Sequence, residues 1–213
     1  MQNEGISPDA FTFVCMLKAC ASIKAHNEGQ KAHAGITGEK GLIERNIIIS
    51  TTLVDMYAKC GFLDEAQKML YILRVRDVVS WTALISGYAE HGYSEEMLDC
   101  LEQMHIESTV SDVVTFVCGL KASSDLRDLR KGKEIHAVVQ KKCLEENVLI
   151  GNALVEMYAK CGYLAKAQEL HDSLLGRDVV SWTLLISGYV EDLQFERALK
   201  CSEEMYFEGI SPN

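Results

Sequence analysis

Proline stands at only two of 213 positions, Pro8 and Pro212, so nearly the whole chain is free of the residue that breaks helices by losing its N–H and clashing with the preceding turn. Long apolar runs are absent as well. No stretch approaches about 18 consecutive apolar residues, which excludes a membrane-crossing helix. Cations are in deficit, 21 Lys and Arg against 31 Asp and Glu for a formal charge of −10, which argues against nonspecific attachment to polyanions. Neither a basic-then-apolar signal pattern nor an Arg-rich, acid-poor transit segment opens the chain. Cys-x-x-Cys is missing despite eight cysteines, and so are a P-loop, a Ser-His-Asp order and a strand-borne Gly-x-Gly-x-x-Gly. Two His-x-Glu triplets occur, His26-Asn27-Glu28 and His105-Ile106-Glu107, but the Pro-Cys-x-x-Cys that completes a zinc deaminase site does not. The triplets are therefore expected on solvated helix faces. No metal site, cofactor or catalytic residue is expected, and the chain does not read as an enzyme.

What is present is repetition. The string Arg76-Asp77-Val78-Val79-Ser80-Trp81-Thr82-Ala83-Leu84-Ile85-Ser86-Gly87-Tyr88 returns almost unchanged from Arg177 to Tyr189, and Met56–Gly61 returns at Met157–Gly162, both displaced by 101 residues. A related pair opens each block: Thr12-Phe13-Val14-Cys15 with Gly29-x-x-x-His33-Ala34, and Thr115-Phe116-Val117-Cys118 with Gly132-x-x-x-His136-Ala137. The chain thus divides into a tail of a preceding unit at 1–9, then long, short and standard units at 10–46, 47–77 and 78–112, and again at 113–147, 148–178 and 179–213. Six cysteines pair off as repeat equivalents (Cys15/Cys118, Cys60/Cys161, Cys100/Cys201), so they are expected to be free, reduced and packed as small apolar groups. His33 and His136 are equivalents too, and read as packing histidines that hydrogen-bond between helices.

Within a unit the apolar residues keep helical spacing. Trp81, Leu84, Ile85 and Tyr88 fall at i, i+3, i+4 and i+7, and Met97, Cys100, Leu101 and Met104 repeat the pattern after His91-Gly92. Each unit is then a helix, a turn and a second helix, with Gly61 and Gly162 where the chain reverses. One such hairpin cannot bury its stripe alone, so the units must stack, predicting an all-α, right-handed solenoid of about twelve helices whose groove is lined by the first helix of each pair.

Two places in the units are polar without belonging to that stripe. The fifth place holds Val14, Thr51, Thr82, Val117, Asn152 and Thr183, and the last place holds Asn46, Asp77, Asp112, Asn147, Asp178 and Asn213. Asp or Asn just before a helix is a capping pattern. Capping leaves the polar fifth place unexplained, since it points away from the buried stripe, toward the face of Val79 and Ser86.

These residues resemble the pentatricopeptide repeat family, in its plant type with alternating long, short and standard units. The strings that carry the resemblance are Leu53–Gly61, Arg76–Thr82 and Leu84–Tyr88 with their second copies. The resemblance implies sequence-specific binding of single-stranded RNA in a mitochondrion or chloroplast, one base per unit. It further implies an RNA-recognition module for cytidine-to-uridine editing, working with editing-complex proteins; without the extension and deaminase-like domain found in many such proteins, the chain is read as a fragment or a naturally reduced array. It implies base-specifying roles for the fifth and last residues: Thr51 with Asp77 and Thr82 with Asp112 for guanine, Asn152 with Asp178 for uracil, Thr183 with Asn213 for adenine. Ile48, Val79, Leu149 and Val180, in second place, would wedge between bases, and Lys59 and Lys160 would approach phosphate. The chain departs from the family where Glu90 and Glu191 take the lysine's place, where Val14 and Val117 cannot hydrogen-bond a base, and at Ser108–Asp112, where the missing Gly and Pro predict a looser turn. The alternative from a different class is a protein scaffold that holds a peptide or partner helix in the groove.

Overall fold

The computed structural model describes residues 9–37, 43 and 46–211. Among them are twelve α-helices and no strand. They fall into two compact units, Met1–Ser111 and Asp112–Asn213. The first holds α1 (Ala10–Ser22), α2 (His26–Thr37), α3 (Ile47–Lys59), α4 (Leu63–Ile72), α5 (Val78–Glu90) and α6 (Ser94–Ile106). The second holds α7 (Val113–Asp125), α8 (Leu129–Lys141), α9 (Val148–Lys160), α10 (Leu164–Ser173), α11 (Val179–Glu191) and α12 (Phe195–Phe207). In each unit the three first helices pack side by side, α1 on α3 on α5 and α7 on α9 on α11, and each also packs on its own hairpin partner.

Every first helix starts on the Asp or Asn before it. Asp9 accepts from the Thr12 N–H at 2.8 Å, Asp77 from Ser80 at 2.9 Å, Asp112 from Thr115 at 2.9 Å and Asp178 from Ser181 at 2.8 Å. Asn46 and Asn147 each accept from two N–H groups, those of Ile48 and Ile49 and of Leu149 and Ile150. These caps satisfy donors that no preceding turn can reach. Each first helix then ends on a residue with positive φ: Gly61, Gly92 and Gly162, but also Lys24, Arg127 and Leu193. The next N–H folds back five residues, as Tyr93 does to the Tyr88 carbonyl at 3.0 Å and Gln194 to that of Tyr189 at 2.8 Å.

The expected looser turn after α6 is not found. Ser108 adopts φ 58°, and Thr109 N–H reaches the Met104 carbonyl at 3.1 Å, the same closure that Gly209 and Ile210 make after α12. Serine meets the left-handed demand without glycine's freedom, so geometry is kept at some backbone strain.

Packing follows the periodic stripe. Trp81, Leu84 and Ile85 are fully enclosed, and Trp182 and Leu185 match them in the second unit. Close approach of α3 and α5 requires a glycine: a Cβ on Gly87 would stand 2.6 Å from the Ala58 Cβ, and one on Gly188 2.7 Å from that of Ala159. His33 and His136 hydrogen-bond the hydroxyls of Tyr57 and Tyr158 through Nδ1, at 2.8 and 2.9 Å, so the paired histidines do link second helix to following first helix. The cysteines divide: none of the eight is in a disulfide, but only Cys20, Cys100 and Cys201 are buried, while Cys15 and Cys143 are exposed. Cys15 falls outside because Phe13, Val14 and Leu17 already occupy the inward arc of α1. His26 departs from the solvated face expected of it, its ring stacking on Phe62 at 3.3 Å.

Candidate nucleic-acid interface

The second place of each first helix lies outside the core stripe and is apolar all the same. Ile48, Val79, Leu149 and Val180 are 53% to 62% exposed. Phe11 and Val114 hold the same place on α1 and α7 and are exposed too. These two are not among the wedging residues expected from the sequence, although counting two residues into each long unit finds them. The second place thus offers a repeated, solvent-facing apolar surface along the first helices.

One turn further along the same face, at i+3, comes the fifth place. Thr51 and Thr82 are half-buried on α3 and α5, and Thr183 is exposed, its hydroxyl donating to the Val179 carbonyl at 2.7 Å. Val14 and Val117 bring only apolar surface to this place. Asn152 is different: it is buried, its Nδ2 donates to Asp178 Oδ1 at 3.4 Å, and its Oδ1 has no partner. A buried amide oxygen left unmet is costly unless a ligand supplies the donor.

The last-place residues turn out to be the caps themselves. In Asp77 and Asp178 the Oδ1 is committed to a backbone N–H. The second carboxylate oxygen remains as an acceptor. In Asn46 and Asn147 the only side-chain oxygen is taken by two N–H groups, so the group left over is the amide donor. Capping and base selection are thus compatible duties of one side chain. Thr82 lies in the first unit and Asp112 in the second, and Asn213, the expected partner of Thr183, lies outside the described residues.

The lysines are not idle cations. Lys59 pairs with Asp55 at 3.0 Å, and Lys160 with Glu156 at 2.8 Å and Asp125 at 3.3 Å. The Glu156 carboxylate, then Asp125, holds the Lys160 ammonium above the usual lysine range. In the standard units Glu90 faces Lys24 at 4.0 Å and Glu191 faces Arg127 at 3.5 Å. Among the described residues no group of three His, Cys, Asp or Glu side chains is placed to hold a metal ion.

Comparison with known proteins bears on the repeat and its fold. The PPR repeat family matches residues 48–78, 79–107, 152–179 and 180–210, more than half of the chain. A chloroplastic pentatricopeptide repeat-containing protein of Arabidopsis thaliana is 38% identical over 210 residues, covering 99% of this chain and 34% of the relative. A mitochondrial one from the same plant is 32% identical over 213 residues, covering 100% of this chain and 38% of the relative. The chain therefore spans about a third of the length of the curated relatives it matches. Among solved structures, the maize pentatricopeptide repeat protein PPR10 matches with a TM-score of 0.74 at 19% identity, covering 100% of this chain and 31% of that one. Its complex with an 18-nt psaJ RNA element matches with a TM-score of 0.76 at 18% identity, covering 32% of that chain. These matches show the solenoid fold, and with the family repeats found across both compact units this chain belongs to the pentatricopeptide repeat family.

Proposed function

We propose that the chain binds single-stranded RNA along its first helices, one base per hairpin, as a recognition module in organellar RNA processing. Relatives named chloroplastic and mitochondrial support the compartment, and the likeness to a protein solved with RNA supports the ligand. The alternation of long, short and standard units, as in plant arrays, favours recognition for cytidine-to-uridine editing.

The observation that carries the reading is the unmet Asn152 Oδ1 beside Asp178, one turn from exposed Leu149. Leu149 flanks a base while Asn152 and Asp178 turn acceptors toward its Watson–Crick edge. Guanine and uracil carry an N–H at the central position of that edge, whereas adenine and cytosine carry a bare nitrogen. A last-place Asp, with an acceptor to spare, therefore selects guanine or uracil, and a last-place Asn, with only its amide N–H left over, selects adenine or cytosine. The fifth place then separates purine from pyrimidine: Thr51 with Asp77 takes guanine, and Asn152 with Asp178 takes uracil.

The test is binding of short RNAs varied at single positions. Asp178→Asn keeps a capping side chain but replaces the spare acceptor by a donor, and should move the preference at that base from uracil to cytosine. Asn152→Thr should move it from uracil to guanine. Discrimination of about 1–3 kcal/mol per base is expected, the range for losing a matched partner in a desolvated site. An unchanged preference in both variants overturns the base-reading role.

A further inference from the structure

In the first unit a cleft of about 530 Å³ opens beside α4 and α6, with Tyr88 of α5 at its floor. Its walls carry four carboxylates, Asp64, Glu65, Glu96 and Asp99, with the Tyr93 ring beside them. Among the described residues no lysine or arginine lines it. Among those residues the ion pairs of this unit, Lys24–Glu90, Lys59–Asp55 and Arg76–Glu107, use none of the four. Arg76 approaches the rim, 5.7 Å from the Tyr71 ring, but Glu107 already engages its guanidinium at 2.6 and 2.8 Å.

The second unit shows what belongs at this place. There the matching cleft of about 350 Å³ is lined by Arg197 and Lys200, which stand where the first unit has Glu96 and Asp99. The Arg197 guanidinium lies 5.9 Å from the Tyr189 ring, the counterpart of Tyr88. One copy of the repeat sets a cation of its own over the tyrosine ring, and the other has reversed both charges and has the larger opening. The phenol differs as well. Tyr189 donates to Gln168 at 3.0 Å, whereas Tyr88, only 5% exposed, reaches Gln67 at no better than 3.5 Å.

Acidic residues in the first turn of a helix answer its macrodipole, which would account for Asp64, Glu65 and Glu96 without any ligand. That role does not extend to Asp99, a turn further along, and it does not explain the aromatic floor. Burial, then Cys100, Asp64 and Glu96, pushes the Tyr88 phenol up to about 12, and burial with Asp99 and Glu96 pushes the Cys100 thiol up to about 12. By its lining this cleft is acidic, whereas that of the second unit sets Arg197 and Lys200 against Asp172 and Glu204.

We propose that this cleft receives an arginine side chain from a partner protein, its guanidinium over the Tyr88 ring and between Glu96 and Asp99, as Arg197 sits over Tyr189 within the second unit. A planar cation satisfies both the ring face and the paired carboxylates. A phosphodiester backbone is excluded by the same charges. The surface is separate from the second- and fifth-place residues on the first helices, so the inference stands whether or not RNA binds there.

The experiment titrates the full chain with the tripeptide acetyl-Gly-Arg-Gly-amide and follows the Tyr88 and Tyr93 ring resonances by NMR. Saturable shifts are expected, at least about tenfold weaker binding when citrulline replaces arginine, and weakening as salt rises. E96R with D99K, which installs the residues of the second unit, should abolish the response while keeping the thermal midpoint. If that pair fails to fold, E96Q with D99N serves instead and should weaken binding at least about tenfold. Absence of saturable shifts up to about 10 mM peptide, a level at which even a millimolar contact would register, overturns the proposal. So does equal binding of the citrulline peptide, or a response unchanged in the charge variants.

Discussion

His171 lies fully inside the second unit, its ring edge-on to Trp182 at 4.3 Å, and neither ring nitrogen has a hydrogen-bond partner. Asp172 comes to 3.6 Å of Nδ1, too far for a hydrogen bond to a neutral imidazole. Burial lowers the histidine's pKa, with Asp172 and Glu208 acting against that and Arg177 with it. The first copy of the repeat puts Leu70, also fully buried, at the same place. His171→Leu should therefore stabilise the fold by about 1–3 kcal/mol, the cost of buried polar atoms left unmet, as read from urea unfolding. The pH dependence has a definite sign. A histidine whose folded pKa lies below its unfolded value of about 6.5 leaves stability intact above that pH and removes it as pH falls through the unfolded value toward the folded one. His33, also held low by burial, adds to the same slope. The variant should narrow, without closing, the gap in thermal midpoint between pH 7.5 and 5.5, and an unchanged gap would show that His171 is not the group protonated.

At the scale of the helix, the turn that ends each first helix demands a left-handed residue, and the chain answers in two ways. Glycine fills it after α3, α5 and α9, whereas Lys24, Arg127 and Leu193 hold φ between 52° and 58° after α1, α7 and α11. Lys24 and Arg127 return something for the strain through their ion pairs with Glu90 and Glu191. Leu193 is 73% exposed and gains little from packing. Relief of about 1–2 kcal/mol of left-handed strain, less glycine's larger loss of chain entropy, should make Leu193→Gly more stable by about 0.5–1 kcal/mol in urea unfolding. Helix starts and inward faces were legible in the sequence because a cap is a residue type at a fixed position and a stripe is a period. These turns were only half legible, since Lys24, Arg127 and Leu193 carry no letter that announces a positive φ. Cysteine burial was misread for a related reason: repetition shows that Cys15 and Cys118 share a place but not which side of the helix the place faces.

For the molecule as a whole, the acidic balance of −10 is not spread evenly over its function. The second-, fifth- and last-place residues that the proposed RNA reading uses are found by counting along the units. The state of the lysines was not legible in the sequence, because Lys160 meets Asp125 across 35 residues of chain, a contact that no local pattern encodes. An RNA phosphate near Lys160 must displace Glu156 and Asp125, while one near Lys59 must displace Asp55 alone. Lys59→Ala should thus weaken binding to all RNA sequences alike and flatten the log–log salt dependence by about 0.7, the share of one neutralised phosphate on a single strand, with a smaller effect from Lys160→Ala. The converse variant separates this account from a purely structural one. Asp125 closes α7 at the end where the helix dipole disfavours an acid, so Asp125→Asn should leave folding intact. By releasing Lys160 from one of its two carboxylates it should tighten binding and steepen the salt slope, as measured by fluorescence anisotropy across a salt series. If affinity and slope both stay at the unmodified values, Lys160 is a helix-joining cation and RNA passes it by.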